Sequence, residues 1–271
     1  MAFWRRLLEG TSWQTLISYV SPTFFQLVSP RDVSRSAYRL ARNWFDEKKF
    51  IEAVNARSAA VEELNCGLTV TGTVRRKRDR LPFHSEAPAA VDGDSPSSTG
   101  EGVLTLFFHQ IHTDGPIFLD LRRHHFKCRN DSQQLQCEYF ATPLYCFWSP
   151  QFRNAMRDLY AAFYGSASKD TYLAALRSIG IEAVADLFDK AFGGERKTAA
   201  RFQLADFRVT FHDVFMRCVE TRSTLHADFL TLGIAIATLY DHLELDGGTY
   251  DVSACYRRAV NFGSDTSEPS P

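Results

Sequence analysis

The sequence lacks the excess of positive charge that is typical of nucleic-acid-binding proteins. Its formal net charge is -1 and its isoelectric point is about 6.7, so composition does not favour nucleic acid as a partner. It also lacks a hydrophobic run that could cross a membrane. The apolar segment from Leu230 to Tyr240 is shorter than the roughly 20 residues that a membrane-spanning helix needs.

The cysteines do not follow the spacing of common metal or disulfide motifs. Six cysteines are scattered along the chain, and no two of them form C-x-x-C. This pattern indicates neither a structural zinc site nor a disulfide framework, and it predicts reduced, buried thiols. A G-x-S-x-G motif is also missing, and no cysteine lies in a recognisable basic turn, so the sequence gives nucleophilic catalysis no support.

The chain does contain enough apolar residues for a sizeable core. Of its 271 residues, 45% are hydrophobic and 22 are phenylalanine, which is ample for a packed domain. Apolar residues recur at helical spacing from Ser34 onward, and again after Ser149. Alternation predicts a strand from Leu68 to Val74. The fold class predicted is mainly α with a small β component (α+β).

One β-hairpin is expected within this mainly helical chain. The sequence predicts strands at Phe126 to Cys128 and at Leu135 to Tyr139, joined by the polar turn from Arg129 to Ser132. After the hairpin, Ser149 and Pro150 have the chemistry of a helix cap and a first helical position.

Residues 1–33 form an N-terminal segment with three open interpretations. The segment is rich in Trp, Phe and Leu, carries Arg5 and Arg6, and has Glu9 as the acid that interrupts a transit-peptide pattern. It could be a mitochondrial targeting segment, a helix lying on a membrane surface, or an ordinary packed helix.

Two stretches have the composition of disordered chain. Residues 82–102 are rich in Pro, Ser, Ala, Gly and acids, and they follow the charged run Arg75 to Arg80. Such a composition buries too little apolar surface to order itself, so we expect a disordered linker at 82–102 and a solvated loop before it. The tail 263–271 is predicted to be disordered for the same reason.

The rest of the chain is organised around Val103 to Phe126. Its first half places apolar residues on one helical stripe, and Asp114-Gly115 then ends the helix. A short apolar segment follows and leads to Asp120, which stands among the cations and imidazoles Arg122, Arg123, His124 and His125. An acid in this position can serve as a base, a metal ligand or a structural ion pair.

This stretch resembles the centre of the UbiB (AarF-domain) atypical kinases. In that family a helix reading roughly Q-I-F-x-D-G-F-F is followed by H-x-D-P-H-P-G-N. Gln110, Ile111, Asp114 and Gly115 match the helix end, and Asp120 falls on the catalytic-loop aspartate.

The resemblance runs from about Asp46 to Phe262 and implies a protein-kinase-like large lobe with a reduced or incomplete small lobe. It places that domain at residues 34–262, interrupted by the linker. Glu52 and Asn55 match the E-A-x-N of the family's kinase-like C-helix and are the implied cofactor-binding positions. The resemblance also favours mitochondrial localisation and a connection to ubiquinone or membrane-lipid homeostasis.

Several departures from the family pattern imply lost catalysis. Phe118 replaces the loop histidine, His125 replaces the metal-binding asparagine, and Ala141 stands where the second metal ligand would be. Lys48 replaces an acid before the C-helix, and no K-x-G-Q motif is found. Kinase chemistry depends on these parts. The expected function is therefore that of a pseudokinase without a cofactor, which binds a lipid, a nucleotide or a partner protein and associates peripherally with a membrane.

Two alternatives remain open. The first is a residual atypical kinase or ATPase that uses ATP and magnesium with Asp120 as its catalytic residue. The second is a metal-binding protein, with candidate ligands His109, His112, Asp120, His124 and His125. His109 and His112 share a helical face and Asp120 would complete a two-histidine, one-carboxylate set, whereas the adjacent His124 and His125 would point to different sides of an extended segment. The competing interpretation of these histidines is that they are solvated or satisfied within the core.

Overall fold

The computed structural model describes residues 23–64, 67–72, 96–131, 134–187 and 199–260. These residues are mainly helical with two small sheets, which confirms the predicted α+β class. The longer helices are α1 (Pro30–Phe45), α2 (Glu47–Glu62), α3 (Pro96–His112), α4 (Pro150–Tyr164), α5 (Lys169–Ile179), α6 (Leu204–Glu220), α7 (Phe229–Asp246) and α8 (Val252–Val260). The helix Phe24–Leu27 is a single turn, and short 3-10 helices span Arg123–His125 and Glu182–Val184. The strands are β1 (Leu68–Gly72), β2 (Ile117–Phe118), β3 (Phe126–Asp131), β4 (Gln134–Ala141) and β5 (Tyr145–Cys146).

Helix α4 begins where its sequence predicts. The Ser149 side chain accepts a hydrogen bond from the Phe152 amide at 3.3 Å, and Pro150 occupies the first turn. Capping of this kind satisfies amides that have no partner within the helix. Helix α5 ends at Gly180, whose φ of 87° is accessible to glycine without steric cost.

The larger sheet has the order β1-β4-β3. Strands β3 and β4 form the predicted hairpin, although both strands extend further toward the turn than expected. Strand β1 pairs with β4 in parallel, and Val70 lies opposite Tyr139. The smaller sheet pairs β2 with β5 in antiparallel fashion.

The prediction of reduced thiols is wrong for one pair. Cys128 and Cys137 lie directly opposite each other across the hairpin and form a disulfide, with their Cα atoms 4.1 Å apart. The sequence could not reveal this pair because no framework spacing marks it. Cys146, Cys218 and Cys255 are free and buried, as predicted.

Helix α3 begins at Pro96, inside the segment that was predicted to be a disordered linker. Residues 96–102 are therefore helical, and Thr99 and Gly100 are buried. The Thr99 hydroxyl donates a hydrogen bond to the Asp246 carboxylate on α7. A hydrogen-bond partner that is distant in sequence thus orders a stretch whose composition alone predicts disorder. The remainder of the linker, 82–95, lies outside the described residues, as do segment 1–22, the charged run 75–80 and the tail 263–271.

Helix α3 lies at the centre of the described structure. All of its residues from Gly102 to Ile111 are buried, including the polar His109 and Gln110. A helix that is covered on every side orders the elements around it, and here α4, α7 and α8 pack against it. Its C-terminal end delivers the chain to Asp120.

Helix α1 begins at Pro30 rather than at Ser34, so the predicted boundary at residue 33 falls within a helix. Phe24, from the turn before it, packs against Phe215 on α6 with ring centroids 5.4 Å apart. No helix among the described residues is both long enough and apolar enough to span a membrane.

Candidate functional site

The candidate site begins where α3 ends. As predicted, the helix stops before Asp114-Gly115, and Gly115 has a φ of 112°. The Gln110 side chain then fixes the returning chain, because its Oε1 accepts a hydrogen bond from the Phe118 amide at 2.7 Å. Gln110 therefore gives β2 a side-chain partner in addition to its strand pairing with β5.

Three arginines from neighbouring helices hold the turn after α3. Arg153 donates hydrogen bonds to the carbonyl oxygens of Gln110 (2.8 Å) and Gly115 (2.5 Å). Arg157 donates from Nε to the Ile111 carbonyl at 3.0 Å. Arg57 is fully buried on α2 and donates to the Pro116 carbonyl at 2.5 Å. Positive charge is favourable here because carbonyl groups at a helix C-terminus carry partial negative charge.

The environment of Arg57 makes its charge costly. Burial, followed by the nearby charge of Arg153, lowers the pKa of Arg57 to about 9. The guanidinium still remains the protonated form at neutral pH. Its function is to donate hydrogen bonds to a buried turn whose carbonyl groups would otherwise lack partners.

Asp120 lies beyond this turn and is 3% exposed. Arg122 donates from Nε to Oδ1 and from a terminal nitrogen to Oδ2, both at 2.7 Å. His125 Nε2 lies 3.0 Å from Oδ2. Arg122 and His125 are themselves each 3% exposed. The predicted structural ion pair is therefore present and buried, and both carboxylate oxygens are occupied.

The surroundings favour the ionised form of Asp120. Burial by itself would raise its pKa, but the charges of His125 and Arg122 and their hydrogen bonds outweigh burial and hold the pKa well below the ordinary value. For Arg122, burial opposes the charged form, while Asp120 and then Asp241 raise the pKa of the guanidinium. Bidentate pairing of this kind is among the stronger hydrogen-bonded arrangements in proteins.

The backbone on both sides of Asp120 is also anchored. The Tyr139 hydroxyl, on the central strand β4, donates to the Asp120 carbonyl at 2.8 Å. On α7, the Thr238 hydroxyl donates to the Leu119 carbonyl at 2.6 Å, and His242 Nδ1 lies 2.8 Å from the Leu121 carbonyl oxygen. The loop is thus held between β4 and α7.

Arg123 has a different partner from its neighbour Arg122. Its Nε lies 2.8 Å from Asp246 Oδ1 on α7. Burial raises the pKa of Asp246, although the hydrogen bond from Thr99 and the charge of Arg123 oppose this rise. The two adjacent arginines therefore connect the loop to two separate acids.

The fold brings together three of the five predicted metal-ligand candidates, but not the favoured pair on α3. Asp120, His124 and His125 offer ligand atoms within 4.8 Å of one another, and this group could hold a metal ion. His109 and His112, on α3, are not part of it. Burial, followed by nearby positive charges, lowers the pKa of His109 to about 3 and that of His112 to about 4. They are neutral histidines packed within helical surroundings.

A metal ion in the Asp120 group would meet strong competition. Burial, then the charges of His125 and Arg122, lowers the pKa of His124 to about 4, so this imidazole is neutral near pH 7 as a ligand must be. However, Arg122 already occupies both oxygens of Asp120. A cation would have to approach a buried guanidinium, which opposes its binding electrostatically.

The family-matched positions do not assemble into a nucleotide site. Glu52 and Asn55 lie on the exposed face of α2, and Glu52 is 3.9 Å from Lys48. Phe118 and Ala141 are fully buried in the core. His125 and Ala141 stand at the two metal positions of the family. The imidazole of His125 is a poor magnesium ligand, and the methyl group of Ala141 cannot bind magnesium. The residues at these positions therefore do not fit magnesium-bound ATP.

Several residues that build the site were not predicted from the sequence. Arg57, Arg153, Tyr139, Thr238 and His242 are brought to the loop from four other elements. Each is a polar residue within an apolar helical or strand pattern, and that position is a sign of a buried hydrogen-bond partner. The partner itself follows only from the tertiary structure.

The chain was compared with known proteins at three levels. No family model matches it, and neither a curated protein nor a solved structure gives a match.

Proposed function

We propose that this chain is a non-catalytic, kinase-like protein that acts by binding a lipid, a nucleotide or a partner protein. The observation that carries the proposal is the state of Asp120, which is buried and bound at both oxygens by Arg122 and His125. A catalytic base must reach the proton that it removes. An enclosed carboxylate with a strongly lowered pKa is a poor proton acceptor and is suited to holding a loop in place.

The kinase-like part of this proposal is supported by the resemblance of the Gln110 to Asp120 stretch to the UbiB family. That family is also the basis for proposing mitochondrial localisation, peripheral membrane association and a role in ubiquinone or membrane-lipid homeostasis. Loss of the two metal positions supports the absence of catalysis, since phosphoryl transfer depends on charge neutralisation by magnesium.

A phosphotransfer assay tests this proposal directly. The purified full chain would be incubated with radiolabelled ATP and magnesium, with and without a generic protein substrate, beside an Asp120→Asn variant. We expect background turnover from both proteins. Magnesium-dependent turnover in the wild type that disappears in the variant would contradict the proposal and favour the residual kinase or ATPase.

A second candidate function is metal binding by Asp120, His124 and His125, because their ligand atoms lie close together. Titration with zinc, followed by the thermal melting temperature, tests it. A rise in melting temperature that is lost in His124→Gln would support a site. His212→Gln, at an exposed position on α6, is the matched control.

A further inference from the structure

Helix α1 presents an unusual exposed face. At about 100° per residue, six of its exposed residues fall within an arc of about 120°. Four are cationic and two are aromatic: Arg31, Arg35, Arg39, Arg42, Tyr38 and Phe45. Tyr38 is 69% exposed and Phe45 is 70% exposed. We call these six residues the arginine–aromatic face.

The opposite side of α1 fixes this helix on the domain. Trp44 is buried, and Leu40 packs against the core. Asn43 donates a hydrogen bond to the Tyr145 carbonyl at 2.9 Å, which connects the helix to β5. The arginine–aromatic face is therefore held outward by a packed helix.

Much of the positive charge on this face is unpaired. Asp32 pairs with Arg35 at 3.4 Å, and Asp46 pairs with Lys49 at 3.2 Å. Within the described part of the chain, Arg31, Arg39 and Arg42 form no salt bridge or side-chain hydrogen bond. A ligand that carries negative charge would supply the missing partners.

A cleft of about 230 Å³ opens beside the arginine–aromatic face. Its polar lining includes Ser36, Arg39, Arg42, Asn43, Lys49 and Asp228. The one acid among these residues is engaged elsewhere, because Asp228 accepts a hydrogen bond from the Ser149 amide at 2.9 Å. Phe147 also lines the cleft and is 58% exposed. Three cationic residues and one acid thus line the cleft, which also has an aromatic ring in its wall.

We propose that the arginine–aromatic face and this cleft dock on an anionic membrane surface. Arg39 and Arg42 bind lipid phosphate at the cleft, while Tyr38, Phe45 and Phe147 insert their rings at the boundary between headgroups and acyl chains. This inference rests on the proposed binding function and names its partner. Basic helices with exposed aromatic residues bind membranes through both electrostatic attraction and burial of apolar surface.

The aromatic residues favour a membrane over a soluble polyanion. Arginines alone would suit a nucleic acid or an acidic protein as well as an anionic membrane, since all three of these partners carry negative charge. Exposed Tyr and Phe rings gain little from a hydrated polyanion, but they lose unfavourable contact with water in a lipid interface. The chain's net charge of -1 also places its positive charge in a local patch rather than over the whole surface.

Co-sedimentation of the purified full chain with lipid vesicles tests the proposal. Vesicles of phosphatidylcholine alone would be compared with vesicles that also contain phosphatidylserine. We expect binding to the anionic vesicles only, weakened by salt. The Arg39→Glu/Arg42→Glu variant is expected to bind at least about tenfold more weakly, since each basic residue near the surface contributes about a fivefold factor.

Two further variants separate the contributions. Tyr38→Ser/Phe45→Ser should also lose vesicle binding, because it removes the rings that insert. Arg208→Glu/Arg217→Glu changes charge equally at exposed positions on α6 and should retain most of the binding. Melting temperatures near that of the wild type would verify that the exposed substitutions leave the fold intact.

The result that would overturn the proposal is absence of binding to anionic vesicles by the full chain, or equal binding by all variants. Equal binding to polyglutamate, unaffected by Tyr38→Ser/Phe45→Ser, would also overturn it in favour of a soluble acidic partner. The phosphotransfer assay is performed without vesicles. A failure of membrane docking and a failure of the non-catalytic function therefore give separate results.

Discussion

Arg122 binds both carboxylate oxygens of Asp120 at 2.7 Å, although the two residues are separated by only one position in the chain. The pair closes a short loop on itself just before the 3-10 helix Arg123–His125. His125 then returns to the same carboxylate at 3.0 Å. A single acid thus organises the five residues that follow it.

Asp120→Asn should destabilise the protein. The substitution removes the negative charge that compensates a buried guanidinium, and breaking such a pair costs about 3 kcal/mol of unfolding free energy. Chemical denaturation of the two proteins measures this difference. Asp114→Asn is the matched control, because Asp114 pairs with Arg157 at 2.9 Å but has a side chain that is 93% exposed. Its loss should cost less than about 1 kcal/mol, and similar losses in the two variants would contradict our account.

The stability of the protein should fall as the pH drops below about 6.5. Burial lowers the pKa of His109 and His242 to about 3 and that of His112 and His124 to about 4, from an ordinary value of 6.5. The unfolded chain therefore takes up protons first, so the stability that these neutral histidines contribute is present above pH 6.5 and is lost toward pH 4. Each histidine adds a slope of up to about 1.4 kcal/mol per pH unit.

His242→Asn tests this source of acid sensitivity. The amide nitrogen of the asparagine can replace Nδ1 as the donor to the Leu121 carbonyl, but it does not titrate. The dependence of unfolding free energy on pH between 6.5 and 4 should become shallower than in the wild type. An unaltered slope in His242→Asn would refute the assignment.

Two glycines in helix interiors should respond oppositely to alanine. A methyl group at Gly100, on α3, would overlap the buried ring of Tyr250, whereas a methyl at Gly233, on α7, meets nothing within 4 Å. Alanine is intrinsically favoured over glycine in a helix by about 1 kcal/mol. We therefore expect Gly233→Ala to raise the melting temperature and Gly100→Ala to lower it. An increase in both would show that residues around Gly100 are not packed as described.

Thiol labelling in denaturant should leave Cys128 and Cys137 unlabelled unless a reductant is added. The disulfide between Cys128 and Cys137 protects two sulfurs from alkylation in denaturant without reductant. Mass spectrometry of the alkylated chain counts the labels, and addition of a reductant should raise the number to six. Six labels in the absence of reductant would show that the pair is reduced in the purified protein.

Much of the helical part of this fold could be predicted because its signals are local. Ser149, Pro150 and Gly180 fix helix ends through their own backbone or side-chain chemistry. The hairpin is also local, since β3 and β4 are adjacent in sequence. For the same reason the pairing of Asp120 with Arg122 could be predicted from their proximity.

Features that depend on distant partners could not be predicted. The order of residues 96–102 arises in part from the hydrogen bond between Thr99 and Asp246, which are far apart in sequence. The helix Val252–Val260 is short, and its apolar face is buried by packing against α3, which is distant in sequence. The choice among the metal-ligand candidates also depended on the tertiary structure, which groups Asp120 with His124 and His125 rather than with the favoured His109 and His112.

The parallel pairing of β1 with β4 determines when the chain can complete its larger sheet during synthesis. Leu68 has its partner at Cys137, so β1 leaves the ribosome well before the strand that it needs. At about 5–20 residues per second, the delay is on the order of several seconds. During that interval the backbone N–H and C=O groups on the edge of β1 that pairs with β4 have no strand partner. Chains that end before residue 134 should therefore present β1 as an unpaired strand edge that other chains can pair with, whereas chains that include residue 141 contain the strand that closes this edge.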